Sequence, residues 1–193
     1  VLQHAGISRT ALWTPMIESC GIAEARRIWN DSDMVAESLC VACLFEGEVA
    51  LRNRLDLADM FGARTLVLIT GGFEDLAATG YSGGIEHARS LLIDRLGAAA
   101  ELAADHRVRL AFEPLHPMVC GFRSVVSSLG EALDILDQLD DGHDIGLAID
   151  AYALWWEHDL QAKLMRAGDR ILNYHVSDWL SDTRDLRLDR GMP

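Results

Sequence analysis

Three apolar runs in this chain end on polar residues able to do chemistry. "VRLAFEP" (108–114) closes on Glu113, "DIGLAID" (144–150) closes on Asp150, and "RILNYHVSD" (170–178) carries His175 with Asp178 just beyond. Buried acids are rare unless they are paired or bound to a metal. Two carboxylates brought together repel and raise each other's pKa, and a cation removes that penalty. Two carboxylates and an imidazole form a donor set for a divalent ion. Taken singly, each residue has an ordinary reading as a strand end that reaches water. Their recurrence at three successive run ends points to a shared site.

Other residues cluster around these ends. His116 follows Pro114 and precedes Pro117 on a stiffened loop, where it would hydrogen-bond a ligand or cap the loop. Arg190, in "DRG" (189–191), offers a planar fork suited to a carboxylate, a phosphate or a sugar hydroxyl. Trp13, Phe112, Tyr152, Trp155, Trp156 and Trp179 flank the same ends. Aromatic faces pack against the C–H face of a sugar, and Trp13 and Trp155 are expected to take that part. Cys40 and Cys43 make a lone C-x-x-C with no second pair to support zinc. In a regular strand, positions three apart face opposite sides, so both are expected to be core thiols.

Positioning these groups requires strands that share one end. Strand-like runs at 9–13, 34–42, 65–70, 108–114, 144–150 and 170–178 alternate with helical spacings at 15–30, 48–61, 84–106, 128–139 and 157–168. "TLVLIT" (65–70) is continuously apolar, as expected of a parallel strand covered on both faces. Alternating βα units predict a parallel sheet with helices outside. A doubly wound sheet would place a Gly-rich phosphate loop after the first strand, and "LWTPMI" contains no glycine. A (β/α)8 TIM barrel instead carries its chemistry at the C-terminal ends of its strands, where the unusual residues fall.

Bulk composition narrows the function classes. The 193 residues are enough for one domain with a real core, read here as residues 1–193. Lys plus Arg is 17 and Asp plus Glu is 30, giving a net charge of −13. That argues against a nucleic-acid partner, which needs a basic footprint. No apolar run approaches the length of a membrane span. "VLQHAGISRT" shows no charged-then-apolar leader pattern, and four cysteines are too few for a disulfide scaffold; a cytoplasmic location is expected.

With these residues in hand, the chain resembles the sugar phosphate isomerase/epimerase family, the xylose isomerase-like TIM barrels. "LAFEPLHPM", "GLAIDAYALWW" and "ILNYHVSDWLSDTRDLRLDRGMP" carry the resemblance. It implies a divalent cation (Mn²⁺, Mg²⁺, Co²⁺ or Zn²⁺) held by Glu113, Asp150, His175 and a final Glu from the last strand. Glu113 would also be one acid/base carboxylate, and Arg190 would contact substrate. The implied partner is a small carbohydrate: a sugar, a sugar phosphate or a polyol-derived ketone isomerised or epimerised through an enediolate. A homo-oligomer is compatible with the pattern.

Two departures stand out. Where the family often has D-x-Y-H, this chain reads Asp150-Ala151-Tyr152-Ala153 and lacks that imidazole. The barrel also stops after about six of its eight βα units, short of the fourth ligand. The expectation is therefore a C-terminally incomplete barrel that is aggregation-prone or needs a partner, and inactive by itself. Rival expectations are an inosose-type dehydratase, a non-catalytic relative and an endonuclease-like hydrolase. The last needs more histidines and a basic face.

Overall fold

The computed structural model describes residues 6–139 and 142–192; part of the N-terminal stretch read for a leader pattern lies outside the described residues. Six strands form one parallel sheet in sequence order: β1 (Arg9–Trp13), β2 (Val35–Cys43), β3 (Thr65–Ile69), β4 (Arg109–Phe112), β5 (Ile145–Asp150) and β6 (Ile171–His175). The helices between them are α1 (Thr14–Cys20), α2 (Ile22–Asn30), α3 (Glu48–Phe61), α4 (Phe73–Ala77), α5 (Ile85–Ser90), α6 (Leu92–Asp105), α7 (Leu129–Leu136), α8 (Ala151–Leu154) and α9 (Leu160–Ala167). A short hairpin, β7 (Asp178–Trp179) with β8 (Arg190–Gly191), follows β6.

The sheet curls into an open barrel, as the alternating pattern predicts. Leu66, Leu68, Leu110, Phe112, Leu147 and Ile149 are buried on its outer face in the main core with the helices. That core includes Leu51 and Leu55 of α3, Leu92 and Leu96 of α6, and Leu129 and Leu133 of α7. The alternate residues Val67, Ala111 and Ala148 point inward into a separate small cluster with Cys40, Val41 and Leu172. Curvature brings β6 back to β2 across the interior. Asn173 donates a 2.6 Å hydrogen bond to the Ser38 hydroxyl, and the Cys40 sulfur lies 3.6 Å from Nε2 of His175.

Two helical stretches are subdivided. The spacing over 15–30 is interrupted at Gly21, whose φ of 86° leaves the helical region and separates α1 from α2. The stretch 84–106 is two helices, α5 and α6, joined at Leu91. Phe112 lies in the helix-facing core and not at the mouth, because strand alternation that turns Glu113 inward turns its neighbour outward.

Candidate metal centre at the strand ends

The C-terminal ends of the strands open into a cavity of about 670 Å³, a common size for a small-molecule site. Glu113, Asp150 and His175 all line it. Asp150 and His175 are direct register partners on β5 and β6, so they share the inner face. Glu113 follows β4, and its amide donates to the carbonyl of Leu68 at 2.9 Å, continuing the sheet pairing by one residue. One ligand atom from each residue lies within 4.8 Å of the others. Both carboxylates are buried, at 7% exposure for Glu113 and 2% for Asp150.

Each buried acid meets a cation. Glu113 Oε1 lies 3.3 Å from Nδ1 of His175. The imidazole pKa is raised to about 10, first by the Cys40 sulfur and then by Glu113. Arg190 Nη1 donates to Asp150 Oδ2 at 2.8 Å, while Asp150 Oδ1 accepts from the Tyr152 amide at 3.0 Å and caps α8. Two negative charges at one point thus draw in two positive groups, the demand a divalent ion would meet. Glu113 Oε2 has no protein hydrogen bond among the described residues. The donor set fits a hard or borderline cation: two carboxylates plus an imidazole whose Nδ1 faces the carboxylate and whose Nε2 is backed by a sulfur.

The β7–β8 hairpin delivers Arg190, which pairs with Trp179 across it. Its guanidinium lies 4.3 Å from the Tyr152 ring centroid, and Tyr152 stacks on Trp179 at 4.2 Å. His116 lines the cavity with rings at 5.9 Å from Trp156 and 5.5 Å from Trp179. Its Nδ1 accepts from the Met118 amide at 3.1 Å, which leaves the hydrogen of a neutral ring on Nε2. Burial lowers its pKa and favours that neutral form. His116 therefore caps the loop, and it also faces the cavity. Trp13, at the end of β1, also lines it.

Trp155 does not line the cavity. The single turn of α8 buries Tyr152, Ala153 and Leu154, and Trp155 beyond it is 63% exposed. The two cysteines are partly buried against the core, Cys43 on the main cluster and Cys40 on the inner one, but they also reach the cavity. A register shift between Cys40 and Ala42 breaks the alternation of β2, and both Cys40 and Cys43 line the cavity. Arg123 was not singled out by its sequence context, a loop of mostly apolar residues, yet it is half-buried in the cavity wall.

Comparison with known proteins agrees with this architecture. Residues 49–193 match the family described as xylose isomerase-like TIM barrel. Protein SMc04130 from Sinorhizobium meliloti 1021 is 36% identical, with a TM-score of 0.82 over 99% of this chain and 71% of that one. The IolI protein, solved with a zinc atom, is 15% identical with a TM-score of 0.72, covering 100% of this chain and 71% of that one. The 3-keto-D-glucoside 4-epimerase YcjR from E. coli is also 15% identical, with a TM-score of 0.70 over 91% of this chain and 71% of that one. Among curated proteins, none matches the chain. The curled parallel sheet, the polar strand ends and the match over most of its length identify this chain as a member of the xylose isomerase-like TIM barrel family.

Proposed function

We propose that this protein is a divalent-metal-dependent isomerase or epimerase acting on a small polyhydroxy ketone or aldehyde. The observation that carries the reading is the convergence of Glu113, Asp150 and His175, with ligand atoms within 4.8 Å of one another. A divalent cation held by these three residues would polarise the carbonyl of a bound hydroxy-ketone.

The chain's own residues supply the rest. Glu113 stands in the cavity wall with Oε2 free of hydrogen-bond partners among the described residues, and serves as the base that takes or returns the proton on the carbon beside the carbonyl. Arg190 neutralises Asp150 and lies over Tyr152, so its fork is oriented before a ligand arrives. His116 offers an Nε2 hydrogen to a hydroxyl, and Trp13 offers an apolar face to the carbon skeleton. With a net charge of −13, the protein takes a small molecule and not a nucleic acid. Among the described residues, no helix is long and apolar enough to cross a membrane.

The test is exchange of a ketose α-proton with solvent deuterium, followed by NMR with added Mn²⁺ or Co²⁺. Metal-dependent exchange that disappears in Glu113→Gln is expected. Metal bound without exchange of any ketose tested would overturn the catalytic reading. Loss of a hydroxyl in the product would move the same proton abstraction to a lyase.

A further inference from the structure

Two cations in the cavity have no ion-pair partner among the described residues. Arg123 lines the wall and is half-buried, yet no side-chain hydrogen bond or ion pair joins it to a described residue. Of the acids that line the cavity, Asp150 pairs with Arg190, Glu113 with His175 and Glu18 with Arg54, Asp75 accepts from the Gly72 amide at 2.8 Å, and none forms an ion pair with Arg123 among the described residues. Burial lowers the pKa of Arg123 and the nearby charge of Arg187 lowers it further, against the smaller opposing pull of Cys43, Glu113 and Asp75. Arg187 lines the same cavity, and its hydrogen bonds among the described residues are made by its backbone. Two guanidinium groups thus line one cavity without an ion-pair partner among the described residues, in a chain of net charge −13.

The loop that carries Arg123 is built firmly. The Thr70 hydroxyl donates to Ser124 Oγ at 3.1 Å and accepts from the Val125 amide at 2.9 Å, with all three residues buried. The Phe73 amide donates to the Gly121 carbonyl at 2.8 Å. A Cβ on Gly72 would come within 2.2 Å of the Phe122 carbonyl oxygen, so the two backbones touch where no side chain fits. Arg123 is therefore presented by a fixed support, as a recognition group needs.

We infer that Arg123, assisted by Arg187, forms an anion subsite that receives a phosphate or carboxylate group of the substrate. The inference rests on the carbohydrate reading above and deepens it: the substrate is a charged sugar, not a neutral one. An incoming oxyanion would relieve the repulsion between the two guanidinium groups and accept from a fork that matches its geometry.

Equilibrium titration calorimetry at constant ionic strength tests this. The probes are inorganic phosphate, D-fructose 6-phosphate, 2-keto-D-gluconate and D-fructose, with and without Mn²⁺. At least one charged sugar should bind about tenfold or more tighter than D-fructose. That preference should fall by about tenfold in Arg123→Gln, fall less in Arg187→Gln and survive in part in Arg123→Lys. Whichever charged sugar binds tighter identifies the group. Exposed Arg187 provides the deciding variant if Arg123→Gln does not fold. Charged sugars binding no tighter than D-fructose, or a preference that all three variants leave intact, would overturn the subsite. Mn²⁺ titration of the same proteins separates the two claims. Lost Mn²⁺ binding with the anion preference retained counts against the metal centre alone. Intact Mn²⁺ binding without the preference counts against the subsite alone.

Discussion

The two faces of the central strands carry different residues and different work. On β4, Leu110 and Phe112 face the helices and are fully buried, whereas Ala111 and then Glu113 face the interior. On β5, Leu147 and Ile149 face out, and Ala148 and Asp150 face in. The outer face needs bulk, because it meets a helix layer and gains stability from apolar area removed from water. The inner face narrows toward the barrel axis, so it takes small residues at depth and polar ones where the barrel opens. Neighbours one position apart, such as Phe112 and Glu113, therefore answer to different physics.

That separation can be tested by perturbing each face in turn. Phe112→Ala removes a fully buried ring and should destabilise the protein by about 3–5 kcal/mol, read from denaturant midpoints at constant slope. Its metal affinity, measured under folding conditions, should stay close to that of the parent. A parallel loss of metal affinity would mean that the faces are not independent.

On the inner face, Asp150→Asn keeps an acceptor for the Tyr152 amide and removes the charge. Metal affinity should fall by more than the roughly 100-fold upper range of outer-shell changes, with a smaller stability loss than Phe112→Ala. Equal metal affinity in parent and variant would remove Asp150 from the ligand set.

Cys40 touches His175 without belonging to the three-donor group, so Cys40→Ala should act through the orientation of the ring. A loss of about tenfold in metal affinity, with the binding stoichiometry preserved, is expected. No change would reduce Cys40 to packing.

The smallest effect is in the pH dependence of the metal-free protein. His175 has a folded pKa of about 10 against 6.5 for the ordinary side chain, with the Cys40 sulfur and then Glu113 as causes. Because the folded value is the higher one, the contribution is fully present below pH 6.5 and is lost as pH rises through about 10. Denaturation from pH 6 to 10 should show this decline, reduced in Glu113→Gln. A decline of equal size in that variant would assign it to other groups.

Much of this was legible in the sequence, for reasons particular to each residue. Continuous apolar runs such as 65–70 mark doubly covered strands, and a polar residue near the end of each of the runs 108–114, 144–150 and 170–178 lands at the mouth. The fold class and the placement of Glu113, Asp150 and His175 follow from those two facts. The Gly21 break was hidden because the apolar spacing of 15–30 continues through it. Trp155 looked equivalent to its neighbours because a sequence does not show that α8 lasts a single turn. The cavity-facing positions of Cys40 and Cys43 depend on a register shift in β2 that strict alternation does not anticipate. Arg123 reaches the cavity only because Thr70 and Ser124, far apart in the chain, hydrogen-bond and fix its loop.

The central claim, that three strand ends form one metal centre, is tested most directly by anomalous X-ray diffraction from crystals of the protein grown with Zn²⁺ or Mn²⁺. The account predicts an anomalous peak bonded to Glu113, Asp150 and His175 at about 2.0–2.2 Å, with the His175 ring held as its contacts to Cys40 and Glu113 now place it. A peak instead at the other donor group on the cavity wall (Cys43, Glu46 and Asp75), or no peak while Arg190 remains paired with Asp150, would contradict it.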